Sequence, residues 1–393
     1  MGTFLLFAEK NRNVPIFQRI TAANEDDTRG PKAAEGGRMT TGVVRDNRYM
    51  DHDMGAFHPE SPHRIEVLNR MLDEDPPVPF LTIEPRPATD NELGRVHERG
   101  YIELVRSTAG KTVPLDMDTT AGPKTFDTAL LAAGGFLRSL DLIMDGTVRN
   151  AFALVRPPGH HAEASQARGF CIFNNVAVGA EHLVRTYGLR RVLVVDWDLH
   201  HGNGTEHAFY SRRDVLYFST HQTPLYPGSG AVRDFGDGEG LGYNLNVPLL
   251  AGKGDADFVH IFEKVLAPVA AEYAPEFILV SAGFDIGAGD PLGGMAVTPA
   301  GFGLLAASLL RMAERTASGR LAFVLEGGYN LEVLREGVRK VLKTLAQRDS
   351  PSSAILLAGG APPPGPPEVS GAARAELEYQ LRVFRRKWDI PDA

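Results

Sequence analysis

Four short apolar runs in this chain end at ionisable residues that stand beside glycines. Run 151–155 leads into Arg156-Pro157-Pro158-Gly159-His160-His161, and 192–195 into Asp196-Trp197-Asp198-Leu199-His200-His201-Gly202-Asn203-Gly204. Run 277–280 leads into Ser281-Ala282-Gly283-Phe284-Asp285, and 321–325 into Glu326-Gly327-Gly328-Tyr329. With a fifth run at 215–218, they lack the polar alternation of a half-exposed strand, which predicts strands covered on both faces, as in a parallel sheet. Such a sheet binds ligands beyond the carboxyl ends of its strands, where these ionisable residues fall. Helical periods lie between the runs: 125–144, 176–187 stopped by Gly188, 257–273 with one apolar stripe, and 300–317 entered through Thr298 and Pro299.

This alternation continues without a break in composition and predicts one α/β catalytic domain over 39–350. The polar, aperiodic stretch 1–38 reads as an N-terminal arm, disordered or an upstream extension. A stiff Pro/Gly-rich linker follows at 351–371 and a C-terminal helix in 372–393, with Leu377, Leu381 and Phe384 on one face, ready to dock on its own subunit or on a neighbour in a homo-oligomer. The balance of 41 basic against 49 acidic residues, net −8, argues against phosphate-backbone binding. One cysteine precludes an intramolecular disulfide, and no apolar run approaches the roughly 18 residues of a membrane span. The expectation is a cytoplasmic protein with neither nucleic-acid nor membrane partners.

Asp196-x-Asp198-x-His200 has period two, which puts three side chains on one face of an extended segment. Two carboxylates and an imidazole suit a divalent metal, and Asp285 from another strand would add a further carboxylate. Three protein ligands with an open position describe a catalytic rather than a closed structural site. Singly, Asp196 and Asp198 would read as turn caps and His200 as a core histidine; the convergence of four strand ends outweighs that reading. His160 and His161 would form a proton-shuttling pair if each had an orienting partner, and alone would be a loop pair. Tyr329 is a candidate oxyanion donor or a packed aromatic. Glu326 reads as a structural carboxylate holding its own turn, and Cys171, without a thiolate activator, as a packing residue.

Together with Gly169-Phe170-Cys171-Ile172-Phe173-Asn174 and Asp290-Pro291-Leu292-Gly293-Gly294, these motifs make the chain similar to the histone deacetylase superfamily, which includes bacterial deacetylases and acetylpolyamine amidohydrolases. The resemblance implies an arginase–deacetylase fold, with a central parallel sheet of about eight strands flanked by helices. It also implies hydrolysis of an acetylated amine with one Zn2+ per chain. It assigns the zinc ligands to Asp198, His200 and Asp285, the histidine pair to His160 and His161, and the transition-state tyrosine to Tyr329. Asp196 matches the partner of the first histidine and Asn203 that of the second. Asparagine there favours the class II subgroup, and an amide partner predicts a lower pKa at His161 than at His160. Which histidine shuttles the proton is left open, with His161 preferred.

The same resemblance gives Phe170 and Tyr226 as aromatic walls around an acyl-lysine stem, with Tyr226 in place of the more usual phenylalanine. Gly169, Gly328 and Leu292 join the substrate-binding set. A K+ site is implied at Asp196, Asp198, His200, Ser219 and Thr220. Arg64 resembles an arginine near the acetate exit, with a structural ion pair as the alternative; Asp116 or Asp118 would bind substrate amides at the rim or be solvated loop charges. Polyamine-selective relatives often carry glutamate where Leu292 stands, so leucine favours acyl-lysine in a protein or peptide over acetylpolyamine or another small acylated amine. Two other classes remain: an arginase-type ureohydrolase with two manganese ions, which needs further His and Asp ligands, and a silent binding protein, which would lack a ligand or the tyrosine.

Overall fold

Eight strands form one parallel sheet in the computed structural model, which describes residues 40–347 and 371–391. From edge to edge they are Leu81–Ile83, Thr41–Val44, Asn150–Ala153, Leu321–Leu325, Phe277–Ala282, Val192–Asp196, Val215–Gln222 and Asn244–Leu249. The four strands that lead into the motifs are therefore the four central neighbours of the sheet. Their registers align Asp196 with Ser281, Ser281 with Val324 and Val324 with Ala153, so the motifs begin at one level of the molecule. All residues of these four strands are buried, because helices cover both faces. The arm at 1–38 and the linker expected at 351–371 lie outside the described residues, apart from Gly371.

The long helices obey their sequence signals. Thr125–Met144 has the expected bounds, Asn175–Tyr187 stops at left-handed Gly188, and the Thr298 hydroxyl caps Pro299–Thr316 by accepting from Gly301 N. The segment read as one regular helix over 257–273 departs from that expectation. Asp255–Ile261 is α-helical, Phe262–Leu266 is π-helical, and Ala267–Tyr273 is α-helical again. Pro268 explains the widening, since it has no N–H to donate and its ring crowds the carbonyl four residues back.

The C-terminal helix is shorter than the span read from its pattern, covering Gly371–Phe384. Beyond it the chain turns, and Trp388 donates from Nε1 to the Gly242 carbonyl (2.8 Å) between the rings of Tyr243 and Tyr273. Phe384 stacks on Phe235, and Gln380 donates to the Pro248 carbonyl on the edge strand, so the helix docks on its own chain. Trp388→Ala is expected to cost ~3 kcal/mol, read as a lowered denaturant midpoint. Among the described residues no helix is long and apolar enough to cross a membrane.

Candidate active site

Two aspartates and a histidine meet just beyond the central strand ends. Asp198, His200 and Asp285 each offer a donor atom, all within 4.8 Å of one another. His200 Nδ1 lies 3.2 Å from Asp198 Oδ1 and 3.3 Å from Asp285 Oδ2. Backbone N–H groups fix the carboxylates: Leu199 donates to Asp285 Oδ1 (2.9 Å) and Gly327 to Asp198 Oδ2 (2.8 Å). Gly327 must lack a side chain, since a Cβ there would collide with both carboxylates. Asp285 Oδ2 is buried and has no well-aligned hydrogen bond. Its carboxyl is pushed up by burial and by the neighbouring Asp198 charge, whereas Asp198 is held low against its burial by His160 and His200. One imidazole and two carboxylates with an unbonded oxygen fit a divalent cation of borderline softness such as zinc.

The histidine pair sits beside this cluster, with ring centroids 4.0 Å apart. His160 Nδ1 is 3.0 Å from Asp196 Oδ2, which also accepts from Tyr217 Oη. His161 Nδ1 is 2.8 Å from Asn203 Oδ1. The Asn203 amide nitrogen donates to the His161 carbonyl and to Glu163, which leaves its oxygen as the acceptor for His161 Nδ1–H. The two rings diverge as their partners dictate. Burial opposes the charged form of each, but Asp196 and Asp198 outweigh it at His160 and raise it to about 10. At His161, burial and the charges of His160 and His200 push the pKa well below the ordinary imidazole value.

Phe170 and Tyr226 stand beside the histidine pair and Tyr329. The Tyr226 ring stands edge-on to His161 (5.1 Å) and His200 (6.2 Å), and Phe170 is edge-on to Tyr329 (5.9 Å) and His58 (4.5 Å). Phe170 reaches this position through a turn with Gly169 at φ 54° and Phe170 at φ 68°. A Cβ on Gly169 would strike the His161 ring. Leu292 is half-buried on a turn held by Asp290, whose carboxylate also accepts from Tyr329 N (2.7 Å). Ser219 and Thr220 lie within the neighbouring strand Val215–Gln222, with Ser219 Oγ 3.0 Å from His221 Nδ1 and Thr220 Oγ1 buried without a hydrogen-bond partner among the described residues.

Glu326 differs from its expected role. Its Oε2 accepts from Gly159 N (2.6 Å) and His160 N (3.1 Å), so it braces the histidine loop rather than its own turn. Arg64 is fully buried and paired with Glu60 (3.0 Å), and it donates to the Gly328 and Glu326 carbonyls behind Tyr329. Cys171 is buried, and burial pushes its thiol pKa well up. Three contributors carried no sequence assignment: Tyr217, Glu163 and the Arg156–Glu60 pair beneath the histidine loop. Tyr217 had a readable signal, its two-residue offset from Ser219 on one strand face.

This arrangement of side chains has a counterpart in sequence. Residues 58–345 match the family model of the histone deacetylase domain. The chain belongs to the histone deacetylase family. It is 38% identical to a "Probable deacetylase" of Archaeoglobus fulgidus, over 75% of this chain and 82% of that one. It is 42% identical to human "Polyamine deacetylase HDAC10" over 74% of this chain and 45% of the other, and 38% identical to Candida albicans "Histone deacetylase HDA1" over 81% and 42%. It thus spans under half the length of these two eukaryotic relatives. The solved HDA15 HD domain superposes with a TM-score of 0.80 at 36% identity, covering 89% of this chain and 97% of that one. The sheet described above is that of the arginase–deacetylase fold.

Proposed function

We propose that the chain hydrolyses the amide of an acyl-lysine in a protein or peptide, with one zinc ion held by Asp198, His200 and Asp285. Family membership supports deacetylase chemistry of the hydrolase class. The observation that carries the metal reading is the meeting of three donors within 4.8 Å, one of them an oxygen without a hydrogen bond. When bound, zinc polarises the acyl carbonyl and makes water a better nucleophile at neutral pH. His161 takes the water proton at Nε2, which the Asn203 contact to Nδ1 leaves as the lone-pair nitrogen, and returns it to the leaving amine. His160, paired with Asp196, acts electrostatically. Tyr329 donates its hydroxyl to the developing oxyanion. Potassium bound beside Asp196, Asp198, His200, Ser219 and Thr220 would satisfy the unpartnered Thr220 hydroxyl.

Leu292 supports acyl-lysine over acetylpolyamine, because it offers a polyamine no charge partner. The identity to a polyamine deacetylase supports the other substrate, so both belong in one assay. Zinc-loaded protein is expected to turn over acetyl-lysine peptides faster than acetylpolyamines, and to lose turnover to a chelator and regain it with zinc. Faster acetylpolyamine turnover would reverse the substrate assignment. Chelator-resistant turnover would remove the metal, and two bound manganese ions would indicate ureohydrolase chemistry instead.

A further inference from the structure

Tyr226, beside His161 and His200, holds a cation whose binding capacity the fold does not use. Arg168 donates from Nε to the Tyr226 hydroxyl (3.1 Å), and its Cζ lies 5.6 Å from the Tyr226 ring centroid. Its backbone is fixed as well: Arg168 N donates to the Cys171 carbonyl and Cys171 N to the Arg168 carbonyl, closing the turn that presents Gly169 and Phe170 to the site. The side chain is half-buried and reaches solvent. A guanidinium has five N–H donors in a planar fork. Here Nε is spent on Tyr226, while neither terminal nitrogen has a hydrogen bond, and the group has no salt-bridge partner among the described residues. Three charged groups lie within its electrostatic reach or that of the Tyr226 hydroxyl, namely Glu163, His207 and Asp118. Glu163 is already committed to Asn203 and His207, and makes no ion pair with Arg168.

The result is an oriented guanidinium edge beside the substrate wall, with a shape that matches a carboxylate's two oxygens. We propose that Arg168 is a specificity-determining residue that reads a carboxylate displayed by the substrate next to its acyl-lysine. The preferred substrates are then peptides with Asp or Glu flanking that lysine, and a polycationic amine meets repulsion at the same place. This inference rests on the deacylase reading and narrows its substrate class. The carboxylate comes from a side chain or from a free peptide terminus, so the test must separate the two.

The decisive measurement is kcat/KM on matched acetyl-lysine peptides with Glu, Gln or Lys on either side, each with a free and an amidated C-terminus. It is run on the zinc-loaded wild type, Arg168→Met, Arg168→Lys and Arg168→Glu. The wild type is expected to favour a Glu peptide over its Lys counterpart by about fivefold, the upper end of what one exposed ion pair contributes. The preference should shrink with added salt. Arg168→Met should level it, Arg168→Lys should keep part of it because the charge remains without the fork, and Arg168→Glu should invert it. Each ratio compares two substrates on one preparation, so a partly folded variant does not distort it. A preference that follows the free C-terminus rather than the flanking residue reassigns the carboxylate's source, with Arg168 still its reader. Turnover without charge preference in the wild type, or a preference unchanged in Arg168→Met, overturns the role of Arg168 alone. No turnover on any peptide overturns the acyl-lysine reading and this inference with it.

Discussion

Asp285→Asn is expected to abolish zinc binding and reduce turnover to background, while leaving the metal-free protein at least as stable as the metal-free wild type. Two effects act in opposite directions at this position. With zinc bound as proposed, the Asp285 carboxylate would supply one of three ligands, and zinc at about 100 times its dissociation constant would add about 2.7 kcal/mol of stability to the wild type. Without zinc, Asp198 and Asp285 are two buried carboxylates that share His200, and burial together with the Asp198 charge disfavours ionised Asp285. An amide of the same shape removes that repulsion, and its oxygen can still accept from Leu199 N. Thermal melts with and without zinc, together with metal content, check both halves. The wild type should shift upward with zinc and the variant should not. A variant that retains one zinc per chain would remove Asp285 from the ligand set, and one that fails to fold without metal would show that the carboxylate has a structural role instead.

Much of this site was readable because its chemistry follows directly after buried strands. A strand covered on both faces leaves a continuous apolar run, so the first ionisable residue after it marks the strand end. Asp196 and Glu326 mark two of these ends, and the loops that follow Asp196 and Ala282 carry the cluster of Asp198, His200 and Asp285. The remaining strands were harder to see for physical reasons. Leu81–Ile83 has three residues, two of them exposed, and Asn244–Leu249 places Asn244 and Asn246 within an edge strand. Those asparagines donate to Glu206, a contact from a distant helix that no local pattern reveals. The interruption at Phe262–Leu266 was signalled by Pro268, but the apolar stripe there continues through the wider turn and conceals it. Glu163 and Arg168 act through partners 40 and 58 residues away, and sequence spacing carries no information about such pairs. The Asn203 orientation belongs to the same class. Its identity was plain, but only Glu163 and the His161 carbonyl determine which end of the amide faces the ring.

Tyr329→Phe should lower kcat about 10²- to 10³-fold, the usual loss of one oxyanion donor, with little change in KM, zinc content or melting temperature. The expectation follows from what the ring and the hydroxyl each do. The ring packs edge-on to Phe170 at 5.9 Å, and the Arg64 guanidinium carbon lies 5.1 Å from its centroid; phenylalanine keeps both contacts. The backbone is held independently, through Tyr329 N to Asp290 and the Gly328 carbonyl to Arg64. The hydroxyl makes no hydrogen bond within the described residues, so its removal orphans no buried partner. Burial pushes the phenol pKa well above its ordinary value, against the opposing charge of Arg64, so the group remains a protonated donor across the working pH range. A donor without an internal partner, held by its ring and backbone beside the metal cluster, contributes to the transition state rather than to folding. The contrast with Asp285→Asn makes the test specific, because one variant should lose zinc and the other should keep it. Unchanged turnover in Tyr329→Phe would remove the phenol from catalysis and leave zinc and His160 to stabilise the oxyanion.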